Sequence, residues 1–223
     1  MNEAIRSSRV EDAYDRIKAE VLSNRMPPGF QATEVEIAER LGMSRTPVHE
    51  ALIRLSTEGL IEVRPRHGAV VQPIEPDDMR EIYEILTALE PEAAASLAAR
   101  CPGPEELAPL EEATAAMERA LEAGDLDGWA KADERFHRLL LDLYGNRRLA
   151  QFVGLLLDQA HRVRMVTLRM RDAPGASTRE HRAILRALAD CDPQATREAF
   201  RAHRERAAHE LMGVLAEYRL SHL

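Results

Sequence analysis

Four side chains in the second half of this 223-residue chain carry donor atoms that a divalent-metal site could use, at spacings that turn them inward. In "WAKADERFHRLLLDLY", Asp133 and His137 lie four residues apart, so a carboxylate and an imidazole share one helical face. That face continues through Leu140 and Tyr144. In "STREHRAILRALAD", His181 shares its stripe with Ile184, Leu185 and Leu188, and further on His203 shares one with Phe200, Ala207 and Val214. Buried polar groups need partners. One carboxylate and three imidazoles meeting in an apolar core would suit Zn, Ni, Mn or Fe(II), without selecting among them. Taken singly, each histidine is explained as well by a core imidazole bonded to a backbone carbonyl. On the residues alone the two readings stand level.

A second group lies in "GMSRTPVHEAL", residues 42–52. It reads as the start of a helix whose first turn holds Ser44, Arg45, Thr46 and Pro47. Proline is tolerated there because no intrahelical bond needs its N–H. The free N–H groups and the positive dipole end of a helix tip attract phosphate. Ser44 and Thr46 can donate to phosphate or base, and Arg45 can pair bidentately with guanine or clamp a phosphate. "LIEVRPRHGAVVQPI" reads as strand, tight turn and strand, and its tip carries Arg64, Arg66 and His67, with Gly68 allowing the sharp turn and a close main-chain approach. His49 and Arg54 extend the candidate surface. Together these residues predict the reading surface of a helix-turn-helix with a wing, entering the DNA major groove by the helix tip. The plainer alternative is a helix-turn-helix used for protein contact or packing.

These groups need elements to position them. Val10, Ala13, Tyr14, Ile17, Val21 and Leu22 give helical spacing over residues 10–25, and "MPPGF" ends that helix. Thr33 and Glu36 predict a capping box for a short helix that Gly42 closes, and Ser44 is placed to cap the next, which stops at Gly59. "QPIEPDD" is a linker. Beyond it, breaks at "CPGPEE", "AGDLDG", "YGN", "RDAPGAS" and "DCDPQ" separate about six helices. The expected fold is mainly α. A winged helix-turn-helix of three helices plus a β-hairpin wing fills residues 1–74, and an all-helical bundle fills 75–223.

Composition agrees with helix: hydrophobic residues make up 45% and aromatic residues 4%. A net charge of −8 argues against a protein that coats nucleic acid or anionic membrane indiscriminately. Residues 1–74 hold ten Lys/Arg against eleven Asp/Glu, so any DNA affinity must come from clustering of the arginines. Cys101 and Cys191, far apart and in no zinc pattern, read as free thiols in a reducing compartment. With no signal-peptide pattern and no apolar run near the ~18 residues of a membrane span, the expected location is the cytoplasm, with no membrane partner.

The stretch "MPPGF…TEVEIAERLGMSRTPVHEALIRLSTEGLIEVRPRHGAVV" resembles the DNA-binding domain of GntR-family bacterial transcription regulators over about residues 8–73. The resemblance implies DNA contact by Ser44, Arg45, Thr46 and Gly68. His49 stands where the family usually has Arg, and Val35 where relatives that read guanine often do. The pattern "D-x-x-F-H", then "E-H-x-x-I-L-x-A-L", then a histidine in the last helix resembles the FCD ligand domain, over about residues 78–216. That likeness implies a divalent metal on Asp133, His137, His181 and His203, a small organic acid whose carboxylate completes the coordination, and a homodimer on a pseudo-palindromic operator. It implies a transcription regulator, most often a repressor.

The family often places an effector-binding Arg in the first bundle helix, where this chain has Leu86. Arg164, on the face of Val153, Leu157, Ala160 and Leu168, is the candidate replacement; a snorkelling surface arginine is the equal alternative. His161, one turn away, could line the same cavity, Trp129 reads as packing, and His209 and His222 read as exposed. The alternative from another class is a metalloenzyme with an appended helix-turn-helix, but no unliganded carboxylate or imidazole is evidently poised as its general base.

Overall fold

The computed structural model describes residues 2–65 and 67–218, with side chains from Ser8 onward. Arg66 and His222 lie outside the described residues. The chain divides into two units, one ending at Glu75 and one beginning at Pro76.

In the first unit α1 (Asn2–Leu22), α2 (Glu34–Leu41) and α3 (Arg45–Thr57) enclose a core in which Ala13, Tyr14, Ile17 and Val21 meet Val48, Ala51, Leu52 and Leu55. The capping box of α2 closes in both directions. The Glu36 N–H donates to Thr33 Oγ1 at 3.2 Å, and the Thr33 N–H donates to the Glu36 carboxylate at 2.7 Å. Gly42 ends α2 in the left-handed conformation with φ 65°. Ser44 occupies the N-cap of α3 with extended backbone, but its hydroxyl makes no capping bond. The side chain read as a cap therefore projects from the helix tip without an intrahelical duty.

The wing is a hairpin of β2 (Ile61–Arg64) and β3 (Gly68–Val71), paired antiparallel from Ile61↔Val71 to Arg64↔Gly68. A two-residue strand, β1 (Gln31–Ala32), pairs on the other side of β3, giving the order β1-β3-β2. Two residues are too few to show a strand period, so β1 left no signal in the sequence. It does explain Gly68. That residue has φ 82°, and a Cβ there would lie 2.2 Å from the Ala32 carbonyl oxygen. Only glycine lets β1 close against the wing.

The second unit is six helices: α4 (Pro76–Ala98), α5 (Pro104–Glu122), α6 (Leu126–Tyr144), α7 (Arg147–Thr167), α8 (Gly175–Ala189) and α9 (Pro193–Glu217), with a 3-10 turn at Leu168–Met170 after α7. Local chemistry sets the starts. The carboxylate of Asp125 accepts from the Gly128 N–H, the Asn146 amide oxygen from the Leu149 N–H, and Asp192 from the Gln194 and Ala195 N–H groups. Helix α4 lies along α9, α5 along α6, and α8 against α9. Leu86, Leu97, Leu110, Trp129, Phe136 and Phe200 are the large side chains sealed between them.

The reading of Cys101 and Cys191 as free thiols is overturned, because they form a disulfide with their Cα atoms 4.8 Å apart. Each cysteine sits just past a helix end, of α4 and α8, in left-handed backbone with φ 49° and 54°. The two helix ends meet in space although 90 residues separate them in sequence. Linear spacing carries no trace of such a pairing.

Candidate functional site

Three bundle helices bring His137 (α6), His181 (α8) and His203 (α9) together, with one ligating atom of each within 4.8 Å of the others. All three are buried. The Nε2 atoms of His137 and His181 are 3.3 Å apart. Each ring's other nitrogen, Nδ1, has its own oxygen acceptor. His181 Nδ1 lies 2.7 Å from the Ser177 carbonyl, His203 Nδ1 2.8 Å from Glu180 Oε2, and His137 Nδ1 3.0 Å from Glu90 Oε1. An imidazole that donates through Nδ1 keeps a lone pair on Nε2, the arrangement of metal-ligating histidines with oriented rings. Phe136 and Phe200 fix the rings edge-on, Phe136 to His181 at 4.6 Å between centroids and Phe200 to His137 at 5.6 Å.

Asp133 borders the cluster. Its Oδ1 is 3.6 Å from His181 Nε2, and its Oδ2 is 3.9 Å from His137 Nε2 and 2.9 Å from Arg164 Nη1. Burial, the largest single effect, would raise this carboxyl, but the Arg164 guanidinium and the three imidazoles together outweigh it and hold Asp133 well below the usual carboxylate range. Burial lowers all three histidines; for His137 the Arg204 charge adds to it, and for His203 the two neighbouring imidazoles do. The rings are thus neutral and the carboxylate ionised, which is the protonation a metal requires. The donor set fits a divalent ion: three imidazole nitrogens with a carboxylate at their edge.

Arg164 is buried, so the snorkelling alternative fails. With Asp133, His203, Tyr83, Trp129 and Arg204 it lines a narrow cleft. His161 is buried too, but it faces Glu134, 3.3 Å away, and is not among the residues lining this cleft. The indole N–H of Trp129 donates to Thr178 Oγ1 at 2.8 Å, and His209 is exposed.

Two residues at this centre were not singled out from the sequence. Glu90 and Arg204 are both fully buried, and Arg204 Nη2 lies 2.5 Å from Glu90 Oε2 and 3.0 Å from His137 Nδ1. A signal existed for each. Glu90 follows Tyr83 and Leu86 on the core stripe of α4, and Arg204 follows Phe200 by four residues on that of α9. A lone charge on an apolar stripe is the pattern that had pointed to Asp133.

In the first unit Ser44, Arg45, Thr46 and His49 are all exposed at the start of α3. Glu34, from the first turn of α2, stands beside them, 2.6 Å from His49 Nδ1 and 3.9 Å from Arg45 Nη2. The structure does not bring Arg54 to this group. Nine residues after Arg45, it lies half a turn round the helix. There it pairs with Glu11 at 2.8 Å and covers the Tyr14 ring at 3.6 Å. At the wing His67 is exposed, its carbonyl accepts from Gln31 Nε2 at 3.0 Å, and Arg64 pairs with Glu62 at 2.8 Å.

Among the described residues no helix is long and apolar enough to cross a membrane. The profile of bacterial regulatory proteins of the gntR family matches residues 9–71, and that of the FCD domain matches residues 81–206. An uncharacterised HTH-type transcriptional regulator of Agrobacterium vitis is 50% identical over 138 residues, 60% of this chain and 80% of its own. A probable D-xylose utilization operon transcriptional repressor of Paenarthrobacter nicotinovorans is 30% identical over 202 residues, covering 89% and 86%. The solved structure of McbR/YncC from E. coli superposes with a TM-score of 0.81 at 23% identity, over 91% of this chain and 96% of that one; it shares the fold. The relatives are named as regulators and not as enzymes. The chain belongs to the GntR family, with an FCD domain behind its winged helix-turn-helix, and is a DNA-binding transcription regulator.

Proposed function

We propose that this regulator is a repressor whose bundle binds a divalent metal and a small organic acid, and that the acid changes its affinity for a pseudo-palindromic operator. The observation that carries the reading is the three-histidine cluster, with every Nδ1 facing an oxygen acceptor and the ligating atoms facing one another. His137, His181 and His203 would hold the ion, with Asp133 as fourth ligand once its carboxylate turns from Arg164. When bound, the metal supplies a Lewis-acidic position for a carboxylate. Arg164 and the cleft it lines receive the rest of the acid.

On the DNA side, Ser44, Arg45 and Thr46 enter the major groove, with His49 beside them, and Arg66, His67 and Gly68 of the wing follow the adjacent backbone. Arg54 serves the α1–α3 contact instead. A second copy of the chain places a second recognition helix about one DNA turn away. Phe152 and Leu155 on α7, 51% and 38% exposed, give such a copy apolar surface to cover. The working location is the cytoplasm, where the operator is. The effector acts only through unequal affinity for the two DNA-binding states.

Fluorescence anisotropy on DNA from upstream of the gene, with scrambled DNA as control, over a salt series and with and without chelator, tests both halves. Specific binding should fall as salt rises, and a chelator should change it. In parallel, His181→Ala should lose metal and acid binding together. Unchanged metal content in that variant would refute the assigned ligands.

A further inference from the structure

We propose that Cys101 and Cys191 are a reversible thiol–disulfide switch, which on oxidation clamps α4 to α8. Its output at the histidine cluster rests on the metal reading above; the clamp itself does not.

The backbone shows that these two residues are present for their sulfurs. Other helix ends that turn through left-handed backbone use glycine, as at Gly42 after α2, Gly124 after α5 and Gly145 after α6. Cys191 does the work of Gly124 with the same two bonds. Its N–H donates to the Leu188 carbonyl at 3.2 Å, and that of Asp192 donates to Ala187 at 3.1 Å. After α5 the Gly124 N–H donates to Leu121 at 3.1 Å, and that of Asp125 to Ala120 at 2.8 Å. A cysteine there carries the Cβ penalty that glycine escapes. Cys101 bears the same penalty after α4, with φ 49°. Among the described residues the one other non-glycine with positive φ is Asn24, a type that tolerates it. The strain is thus borne twice, at the two helix ends whose sulfurs meet.

Those helix ends are held without the bond. Leu97 and Ala98 on α4 and Leu185 and Leu188 on α8 are buried, and the backbone bonds that close each end do not involve sulfur. Reduction therefore leaves two thiols opposed at high effective concentration. Cys101 is exposed and Cys191 half-buried, so small thiols and disulfides reach the pair. The working location proposed above keeps thiols reduced, and disulfides in such a compartment are usually transient, catalytic or redox-sensing.

The oxidant is a low-molecular-weight disulfide, RSSR. The Cys101 thiolate attacks one of its sulfurs, forming a mixed disulfide and releasing RS−. The Cys191 thiol then gives up its proton and attacks the Cys101 sulfur, and the second RS− leaves. Two protein thiols lose two electrons and two protons, and RSSR departs as two RSH. Excess thiol runs the exchange backwards.

Both clamped helices build the cluster. Glu90 on α4 meets His137, and α8 supplies His181 and the Glu180 that meets His203. The cysteines lie about three turns beyond Glu90 and His181 on the same two helices. A bond across the helix ends suppresses the local opening in which α8 leaves α4 and carries His181 with it.

The test equilibrates the full chain without air in glutathione buffers of rising oxidised fraction. Free thiols, counted by maleimide mass shift, should fall from two to none on one two-electron curve, with the circular dichroism of the folded chain retained. Thiols that stay free in every buffer, interchain products on a non-reducing gel, or a bond reduced only after urea unfolds the chain would each overturn the switch. Amides of residues 181–188 should exchange about fivefold or more slowly in the oxidised chain, the low end of coupling between sites. Cys101→Ser should exchange at the reduced rate in either buffer. Equal exchange of the wild type in both states would overturn the clamp, and that comparison decides even if the variant folds poorly. Zinc release into a chromogenic chelator should slow by the same order, and equal release would overturn the link to the cluster. A chain that takes up no zinc would sink the metal reading, and exchange alone would then decide the clamp.

Discussion

Replacing Glu90 by Gln should cost far more than loss of one hydrogen bond. Glu90 and Arg204 are both fully buried with 2.5 Å between them, and Glu90 Oε1 also lies 3.0 Å from His137 Nδ1. Gln keeps the shape and an oxygen for His137 but leaves the Arg204 charge without a counter-ion. Breaking a buried pair at one end costs about 3–5 kcal/mol. In a unit of this size each kcal/mol lowers Tm by roughly 2–4 °C, so a fall of about 6–20 °C is expected. Metal affinity should fall as well, by about 10–100-fold, because the group that orients a ligating histidine has been weakened. Urea unfolding followed by fluorescence suits the test, since Trp129 is the sole tryptophan and is buried in the bundle.

A second variant guards against a trivial loss of packing. Glu90→Gln combined with Arg204→Met removes both charges and should recover a large part of the lost stability, since neutral packing often replaces a buried ion pair at little cost. The reasoning fails if the single variant stays within about 1 kcal/mol of wild type, or if the double variant is no more stable than the single.

Arg45→Ala should abolish specific operator binding in anisotropy while the circular dichroism melt of the bundle is unchanged; retained affinity would refute the groove assignment. Arg54→Ala should do the reverse, with operator contacts intact but the first unit less stable by about 1 kcal/mol, from the pairs with Glu11 and Glu58 and one cation–π contact. Gly68→Ala should unpair β1 from the wing, because the new Cβ meets the Ala32 carbonyl at 2.2 Å in left-handed backbone; amide exchange at Ala69 and Val71, which face β1, reports it, and undiminished protection would contradict the steric argument. Reducing Cys101–Cys191 should destabilise the bundle by up to about 4–5 kcal/mol, the loop-closure estimate for a separation near 90 residues. Parallel urea curves with and without reductant measure this, and coincident curves would show that the crosslink contributes nothing.

Local rules carried most of the architecture. The Thr33–Glu36 box, the Gly42 stop and the Pro/Gly/Asp breaks of the bundle are decided within a few residues, so they are legible along the chain. Inward-facing His137, His181 and His203 were legible too, because helical period alone fixes which residues share a stripe. What escaped is non-local or very short. The Cys101–Cys191 contact depends on two helix ends meeting. Strand β1 has no period. Arg54 looked like part of a basic cluster because Arg45, Arg54 and Arg64 are neighbours in sequence, but half a helical turn separates Arg54 from the tip, and Glu11 and Tyr14 hold it there. Glu90 and Arg204 obeyed the stripe rule and were passed over because single charges are usually read as solvent-facing.

The loss of one cation and the presence of another belong together. Where related domains often carry an arginine in their first helix, this chain has Leu86, buried without exposure. Four residues on, one turn along the same face of α4, comes Glu90, and its partner is Arg204 on α9. The buried positive group of this chain thus sits on α9, the helix that also supplies His203. A metal on His203 and an acid in the cleft that His203 and Arg204 line would both act on α9, so the two could not bind independently. Linkage then requires reciprocity: the factor by which zinc tightens the acid must equal the factor by which that acid tightens zinc.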